Sequence, residues 1–229
     1  MIYPEKDQVG YVDEASWLKR EMMGIIAHYL PDDAVVIDAF AGVGISAGIY
    51  AEKVAKVYAI EKKKEYYDIL LKNCALLNNV EVIKGDNAKV MSGMAVKPVL
   101  VDLDPFGNCY EQLPIAIRLL QNEGVLCVTS GELYAIMRGT RLHKRYGDLL
   151  NALGTNKDFY LFPEKVLIPY ILTISKFELV YYYVYPTSTR IIFADKVWCK
   201  LLRPLFDGFP RYLGFLSRYN KGVQRTFVK

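Results

Sequence analysis

Cysteine and histidine are scarce in this chain of 229 residues, with four and two respectively, and no two cysteines form a C-x-x-C pair. Cys74, Cys109, Cys127 and Cys199 are scattered, which argues against a zinc site and a disulfide scaffold and fits a reducing cytoplasm. Long apolar runs are also missing. The stretch Val166–Ile174 is broken by a proline and falls far short of the roughly 18 residues a membrane span needs. Met1–Gly10 carries charges and has no apolar segment, so no signal peptide and no membrane partner are expected. Internal repeats and low-complexity tracts are absent too. Hydrophobic residues make up 52% and charged residues 24%, enough for one large α/β domain with a sizeable core. Net charge is +4, but seven basic residues and one acid fall between Lys200 and Lys229. Such asymmetry suits a polyanionic partner, or else a solvated surface helix.

The order of elements follows from hydrophobic spacing. Asp13 to Leu30 reads as a helix, N-capped by Asp13 and ended by Pro31. Strands are expected at Ala34–Asp38, Val57–Ile60, Val80–Lys84, Pro98–Asp102 and Val125–Thr129. Helices are expected between them at Ser46–Lys53, Lys64–Leu77 and Glu111–Asn122. Strands apolar on both faces and separated by helices imply a parallel sheet buried on both sides. Phe177–Tyr185 and Arg190–Val197, joined through Pro186-Thr187-Ser188-Thr189, read as a hairpin. The fold class is therefore α/β, a Rossmann-like sheet, mostly parallel with a C-terminal antiparallel hairpin. Residues 1–199 read as the main domain. Residues 200–229 read as a basic, aromatic extension (Phe206, Phe209, Tyr212, Phe215, Tyr219) that either extends a binding groove or packs on the sheet. Trp17 and Trp198 are expected in the core or at an interface.

In such sheets ligands bind beyond the C-terminal strand ends. The first strand ends Asp38-Ala39-Phe40-Ala41-Gly42-Val43-Gly44, where glycines permit a sharp turn close to a ligand. This turn alone also suits a dinucleotide pyrophosphate. Glu61 follows the second strand, where a carboxylate can accept from ribose hydroxyls. Asp86, in Lys84-Gly85-Asp86-Asn87, follows the third and can accept from an adenine amine. Asp38, Phe40, Gly42, Gly44, Glu61, Lys62, Asp86, Asn87 and Asp102 are the candidate cofactor contacts.

The fourth strand ends Val101-Asp102-Leu103-Asp104-Pro105-Phe106-Gly107. An exocyclic base amine is a poor nucleophile because its lone pair is delocalised into the ring. Hydrogen bonds from its N–H groups to a carboxylate and a backbone carbonyl favour a tetrahedral nitrogen, and an aromatic ring can stack the flipped base. Asp104 and Phe106 are the candidate catalytic residues. Asp104 can also accept the departing proton. Pro105, Phe106 and Gly107 are candidate substrate contacts. Arg138, Arg141, Lys144 and Arg145 follow the fifth strand with no acid among them, and are expected to touch phosphates. His143, in their midst, reads as a surface residue.

The succession D-A-F-A-G-V-G, A-I-E, G-D-N and D-L-D-P-F-G resembles class I S-adenosylmethionine-dependent methyltransferases. Over residues 35–147 it is most similar to the catalytic domain of the tRNA (guanine-26-N2) dimethyltransferase family, including Arg145-Tyr146-Gly147. The resemblance implies S-adenosyl-L-methionine as cofactor, with its methionine moiety between Asp38 and the loop Phe40–Gly44. It also implies methyl transfer to a nucleobase amine, guanine N2 of tRNA in the first place, with RNA favoured over DNA and no metal. Three departures stand out. Thr129-Ser130-Gly131-Glu132 occupies the place of the family's T-A-T-D, so that the resemblance makes Glu132, in the position of an active-site aspartate, a further candidate substrate contact. Asn108-Cys109 replaces S-P, and the chain leaves no room for the family's large C-terminal RNA-binding domain. A DNA or small-molecule methyltransferase and a non-catalytic RNA-binding subunit are the alternatives.

Overall fold

The computed structural model describes residues 14–138, 144–153, 160–185 and 187–211. In chain order the elements are α1 (Glu14–Tyr29), β1 (Val35–Asp38), α2 (Ile45–Ala51), β2 (Lys56–Glu61), α3 (Lys64–Asn73), β3 (Val80–Lys84), α4 (Asn87–Gly93), β4 (Leu100–Leu103), α5 (Gln112–Leu120), β5 (Val125–Ser130) and α6 (Glu132–Met137). A 3-10 stretch over Lys144–Leu153 and a π-helical turn at Pro163–Leu167 lead into α7 (Ile168–Ile174), followed by β6 (Glu178–Tyr185), β7 (Ser188–Ala194) and α8 (Lys196–Leu202).

The seven strands form one sheet in the order β3-β2-β1-β4-β5-β7-β6. The first five are parallel, and β7 runs antiparallel to both β5 and β6. Successive strand residues point to opposite faces. Val36 and Cys127 join one buried cluster, with Met22, Ile26, Tyr50 and Leu202, while Ile37 and Val128 join the other, with Leu113, Phe162 and Ile171. Both faces are thus covered, which is why the parallel strands read as unbroken apolar runs.

The mostly parallel sheet and its closing hairpin agree with the sequence reading. Asp13, the expected cap of α1, lies outside the described residues. Val197 was expected in the last strand but lies in α8, because the Asp195 carboxylate accepts from the N–H groups of Val197 (2.7 Å) and Trp198 (3.1 Å) and caps a helix there. The extension expected from residue 200 begins inside α8. Its described part packs down through Leu202 and Phe206, which are buried with Tyr181. Trp17 is exposed, with the Arg20 guanidinium 5.4 Å from its ring, and Trp198 is half-buried.

One topological feature positions the site. From β1 the chain passes to β2 on one side, while β4 lies on the other, so the sheet order reverses between β1 and β4. Loops leaving those two strands diverge and open a crevice at their C-terminal ends. Asp38 and Asp102 are register partners across that seam.

Candidate active site

The turn after β1 is built as its glycines require. Gly44 has φ +94°, and a Cβ there would sit 2.8 Å from Leu70 Cδ1 and 3.2 Å from Cys74 Sγ. Only glycine combines that left-handed conformation with so close an approach to α3. Gly42, at φ +55°, donates its N–H to Glu61 Oε2 (3.0 Å), and Lys63 N–H reaches Glu61 Oε1 (2.7 Å). Each Glu61 oxygen is therefore oriented by one backbone donor and keeps a further lone pair. Phe40, between the turn and β1, is half-buried against the core.

Asp38 stands apart. It is buried, and among the described residues neither carboxylate oxygen has a hydrogen-bond partner. Burial, then repulsion from Asp102 and from Asp104, pushes its carboxyl well above the usual carboxylate range. The Lys19 ammonium, and after it the Phe40 N–H from outside hydrogen-bonding geometry, oppose that rise without reversing it. A buried carboxylate without donors calls for a cationic or N–H-bearing ligand. The methionine ammonium of the expected cofactor has that chemistry, so the residues present fit the group.

The other expected cofactor contacts are partly engaged within the protein. Asp86 caps α4, accepting from Lys89 N–H (3.2 Å), and pairs with Lys62 Nζ (3.0 Å). Asn87 donates to the Ala39 carbonyl (2.9 Å) and accepts from Gln112 Nε2 (2.7 Å), tying the β1 turn to α5. Asp102 requires a correction. Its carboxylate is buried and bound in a fork by Arg190, at 2.6 and 2.7 Å, and it also accepts from Tyr50 Oη at 2.8 Å. It is a sheet-internal ion pair rather than a ligand contact.

Beyond β4, the Asp104 carboxylate reaches the crevice and pairs with Lys19 of α1. Burial would raise its pKa, but Lys19 and then Arg190 outweigh burial and hold the carboxyl below its ordinary value. Pro105 is buried, whereas Phe106 is 90% exposed. Gly107 proves less special than its motif suggests, because a Cβ there would meet nothing within 4 Å. The glycine that matters is Gly131. Its N–H donates to the Gly107 carbonyl (2.7 Å), and a Cβ on it would lie 2.4 Å from the Phe106 carbonyl oxygen.

Glu132 is the second correction. Its side chain turns inward, where its carboxylate accepts from Tyr110, from Ser130 Oγ (2.9 Å) and from Tyr146 Oη (2.7 Å). With Tyr110, Tyr146, Phe162 and Tyr170 packed edge to face, it anchors the loop that carries Phe106 and is not itself open to a substrate. Arg138 is exposed at the end of α6 and stacks over Tyr134 (4.3 Å). Arg141 and His143 lie outside the described residues, as do the side chains of Lys144 and Arg145.

Sequence reasoning missed Lys19, Arg190 and Gly131. Lys19 carried a signal, since it shares the helical stripe of Met22, Met23 and Ile26, where a cation needs a buried reason. Arg190, between Thr189 and Ile191 in an apolar strand, carried the same one. Among the described residues no group of His, Cys, Asp or Glu is arranged to hold a metal, and no helix is long and apolar enough to cross a membrane.

Residues 14–149 match the family model described as N2,N2-dimethylguanosine tRNA methyltransferase. A segment of 63 residues is 43% identical to an uncharacterised protein of Methanocaldococcus jannaschii, covering 27% of this chain and 24% of that one. The fold is similar to Trm1 from Pyrococcus horikoshii, solved with S-adenosyl-L-methionine (TM-score 0.64, 16% identity, 88% of this chain and 61% of that one). It is also similar to the tRNA m1G37 methyltransferase of M. jannaschii (TM-score 0.55, 18% identity, 81% and 51%). The chain thus spans about a quarter of the first relative and about three fifths of Trm1.

Proposed function

The chain belongs to the N2,N2-dimethylguanosine tRNA methyltransferase family, and from that membership we propose that it methylates the exocyclic N2 of a guanine in RNA, with tRNA the first candidate. The observation that carries the reading is the placement of Asp104 just past β4, at the reversal of strand order, on the same rim as the donor-less carboxylate of Asp38.

When bound, S-adenosylmethionine supplies an electrophilic methyl carbon on a sulfonium that leaves as a neutral thioether. Asp38 is assigned to its ammonium, the Phe40–Gly44 turn to its methionine chain, Glu61 to its ribose, and Asp86 with Lys62 to the adenine side. Asp104 accepts a hydrogen bond from the guanine amine, which directs the nitrogen lone pair toward the methyl carbon. As the new N–C bond forms, the nitrogen sheds its proton, and Asp104 is the base in reach. Held ionised by Lys19 and Arg190, its carboxylate is ready for that role. Phe106, exposed at the rim, stacks the flipped base. Arg138 is assigned to backbone phosphate, as are Arg141, Lys144 and Arg145 on sequence grounds. Residues 1–199 are assigned to catalysis and 200–229 to an extension of the same unit.

Incubation with labelled S-adenosylmethionine and unmodified tRNA, rRNA or duplex DNA, followed by nucleoside mass spectrometry, tests the reading. The expected product is N2-methylguanosine from tRNA. Asp104→Ala should lower turnover by about 10²–10⁴-fold, and turnover near that of the parent enzyme would remove Asp104 from the chemistry.

A further inference from the structure

The two groups that the proposed reaction presents to its base are each approached by a lysine ammonium. Lys19, reaching over from α1, pairs with the Asp104 carboxylate. Lys63, from the turn before α3, places its ammonium 5.6 Å from the centre of the Phe106 ring and 5.3 Å from that of Tyr66. The neighbours of Lys63 are differently occupied, Lys62 by Asp86 (3.0 Å) and Lys64 by Asp68 (2.5 Å). Among the described residues no carboxylate pairs with Lys63, and its ammonium rests on aromatic faces instead.

A base amine that takes the place at Asp104 Oδ2 replaces the Lys19 ammonium there, and a base that stacks on the ring face Lys63 approaches displaces a second ammonium. Each replacement leaves a cation beside the incoming base. A free nucleoside brings no anion to receive it, whereas a polynucleotide brings a phosphate on either side of the target. Resting on the methyltransferase reading above, we infer that Lys19 and Lys63 occupy the acceptor position in the resting enzyme and transfer to the phosphates flanking the target nucleotide, so that they select polynucleotide over free nucleoside. The two lysines come from different elements, α1 and the turn before α3, so each can serve its own phosphate. The arrangement also keeps charge balanced. In the resting state Lys19 and Arg190 face Asp104, with Asp38 and Asp102 close by. When Lys19 leaves Asp104 for a phosphate, the N–H groups of the amine take over the carboxylate.

The test uses the full chain and compares the parent enzyme with Lys19→Met, Lys63→Met and Lys19→Arg, on unmodified tRNA transcript and on free guanosine. Filter binding of the transcript is measured across a salt series. The expected result is a loss of about tenfold in kcat/KM on tRNA for each methionine variant, with no parallel loss on guanosine for Lys63→Met, which does not touch Asp104. The slope of log Kd against log salt should become shallower by about 0.7–1 per lysine removed. Lys19→Arg keeps the charge and should restore the slope. The slope decides the matter even where guanosine turnover lies below detection. An unchanged slope with equal losses on both acceptors would make the lysines merely structural and overturn the inference while leaving the methyltransferase reading intact. Failure of the parent enzyme to bind or methylate any RNA overturns both.

Discussion

At the scale of single residues, Asp38 shows how a ligand site is kept at the expense of stability. Its buried carboxylate has no hydrogen-bond partner among the described residues and faces Asp102 and Asp104. Its folded-state pKa is raised, first by burial and then by those two acids. Relative to the unfolded chain, the protonated side chain therefore favours folding below the ordinary carboxylate range. That contribution is lost as pH rises through the elevated folded value. Asp38→Asn removes the charge and most of the penalty. In the absence of cofactor the variant should be more stable than the parent by about 1–3 kcal/mol near neutral pH, roughly 2–4 °C in melting temperature for each kcal/mol in a chain of this size. The advantage should shrink as pH is lowered. Added S-adenosylmethionine should raise the melting temperature of the parent and leave that of the variant nearly unchanged. Melting curves at several pH values, with and without cofactor, check this. A variant less stable at every pH would mean that the carboxylate has a partner after all.

At the scale of elements, the site depends on how closely the turn after β5 approaches the loop after β4. A Cβ at position 131 would overlap the Phe106 carbonyl oxygen at 2.4 Å, and backbone cannot yield as a side-chain end can. Gly131→Ala should therefore displace the Asp104–Gly107 loop, lowering kcat by about 10²-fold, the usual consequence of a misplacement of about 1 Å. Cofactor affinity should stay near that of the parent, because the β1 turn is untouched. Equilibrium cofactor binding beside steady-state kinetics separates the two effects. The same elements show what a sequence can reveal. The central strands β4 and β5 were legible because burial on both faces leaves unbroken apolar runs, and the half-buried edge strand β3 also falls at Val80–Lys84 in both readings. The short helices α4 and α6 were not, since six or seven residues hold too few turns for periodicity to stand out, whereas the equally short α2 was marked by the glycine turn before it. Acids at strand ends were legible as a set. Which of Asp102 and Asp104 faces the crevice was not, because that depends on Arg190, 88 residues from Asp102. Glu132 was misread as open to substrate for the same reason. Its partners Tyr110 and Tyr146 lie 22 and 14 positions away.

At the scale of the whole molecule, the antiparallel hairpin has to be held to the parallel strands next to the site, and the Arg190–Asp102 pair is placed to do this. Arg190 of β7 reaches past Thr129 of β5, to which it donates at 3.0 Å, and grips Asp102 of β4, while Tyr50 of α2 closes the group. Four elements meet in one buried network directly beneath the crevice. Without the guanidinium, Asp102 would be a buried unpaired anion close to Asp38 and Asp104, so the loss would fall on the fold and on the site together. Arg190→Met should destabilise the protein by about 3–5 kcal/mol, a large share of the roughly 5–15 kcal/mol that holds a typical domain together. Replacing both partners, Arg190→Met with Asp102→Leu, removes the unpaired charge and leaves Tyr50 short of its partner, while Thr129 keeps its bond to Asp104. The double variant should accordingly be more stable than Arg190→Met alone, although it carries one more substitution. Urea unfolding of the parent, both single variants and the double variant completes the cycle. If the single losses simply add, the pair is not a coupled clasp, and the hairpin is held by its backbone ladder and apolar contacts alone.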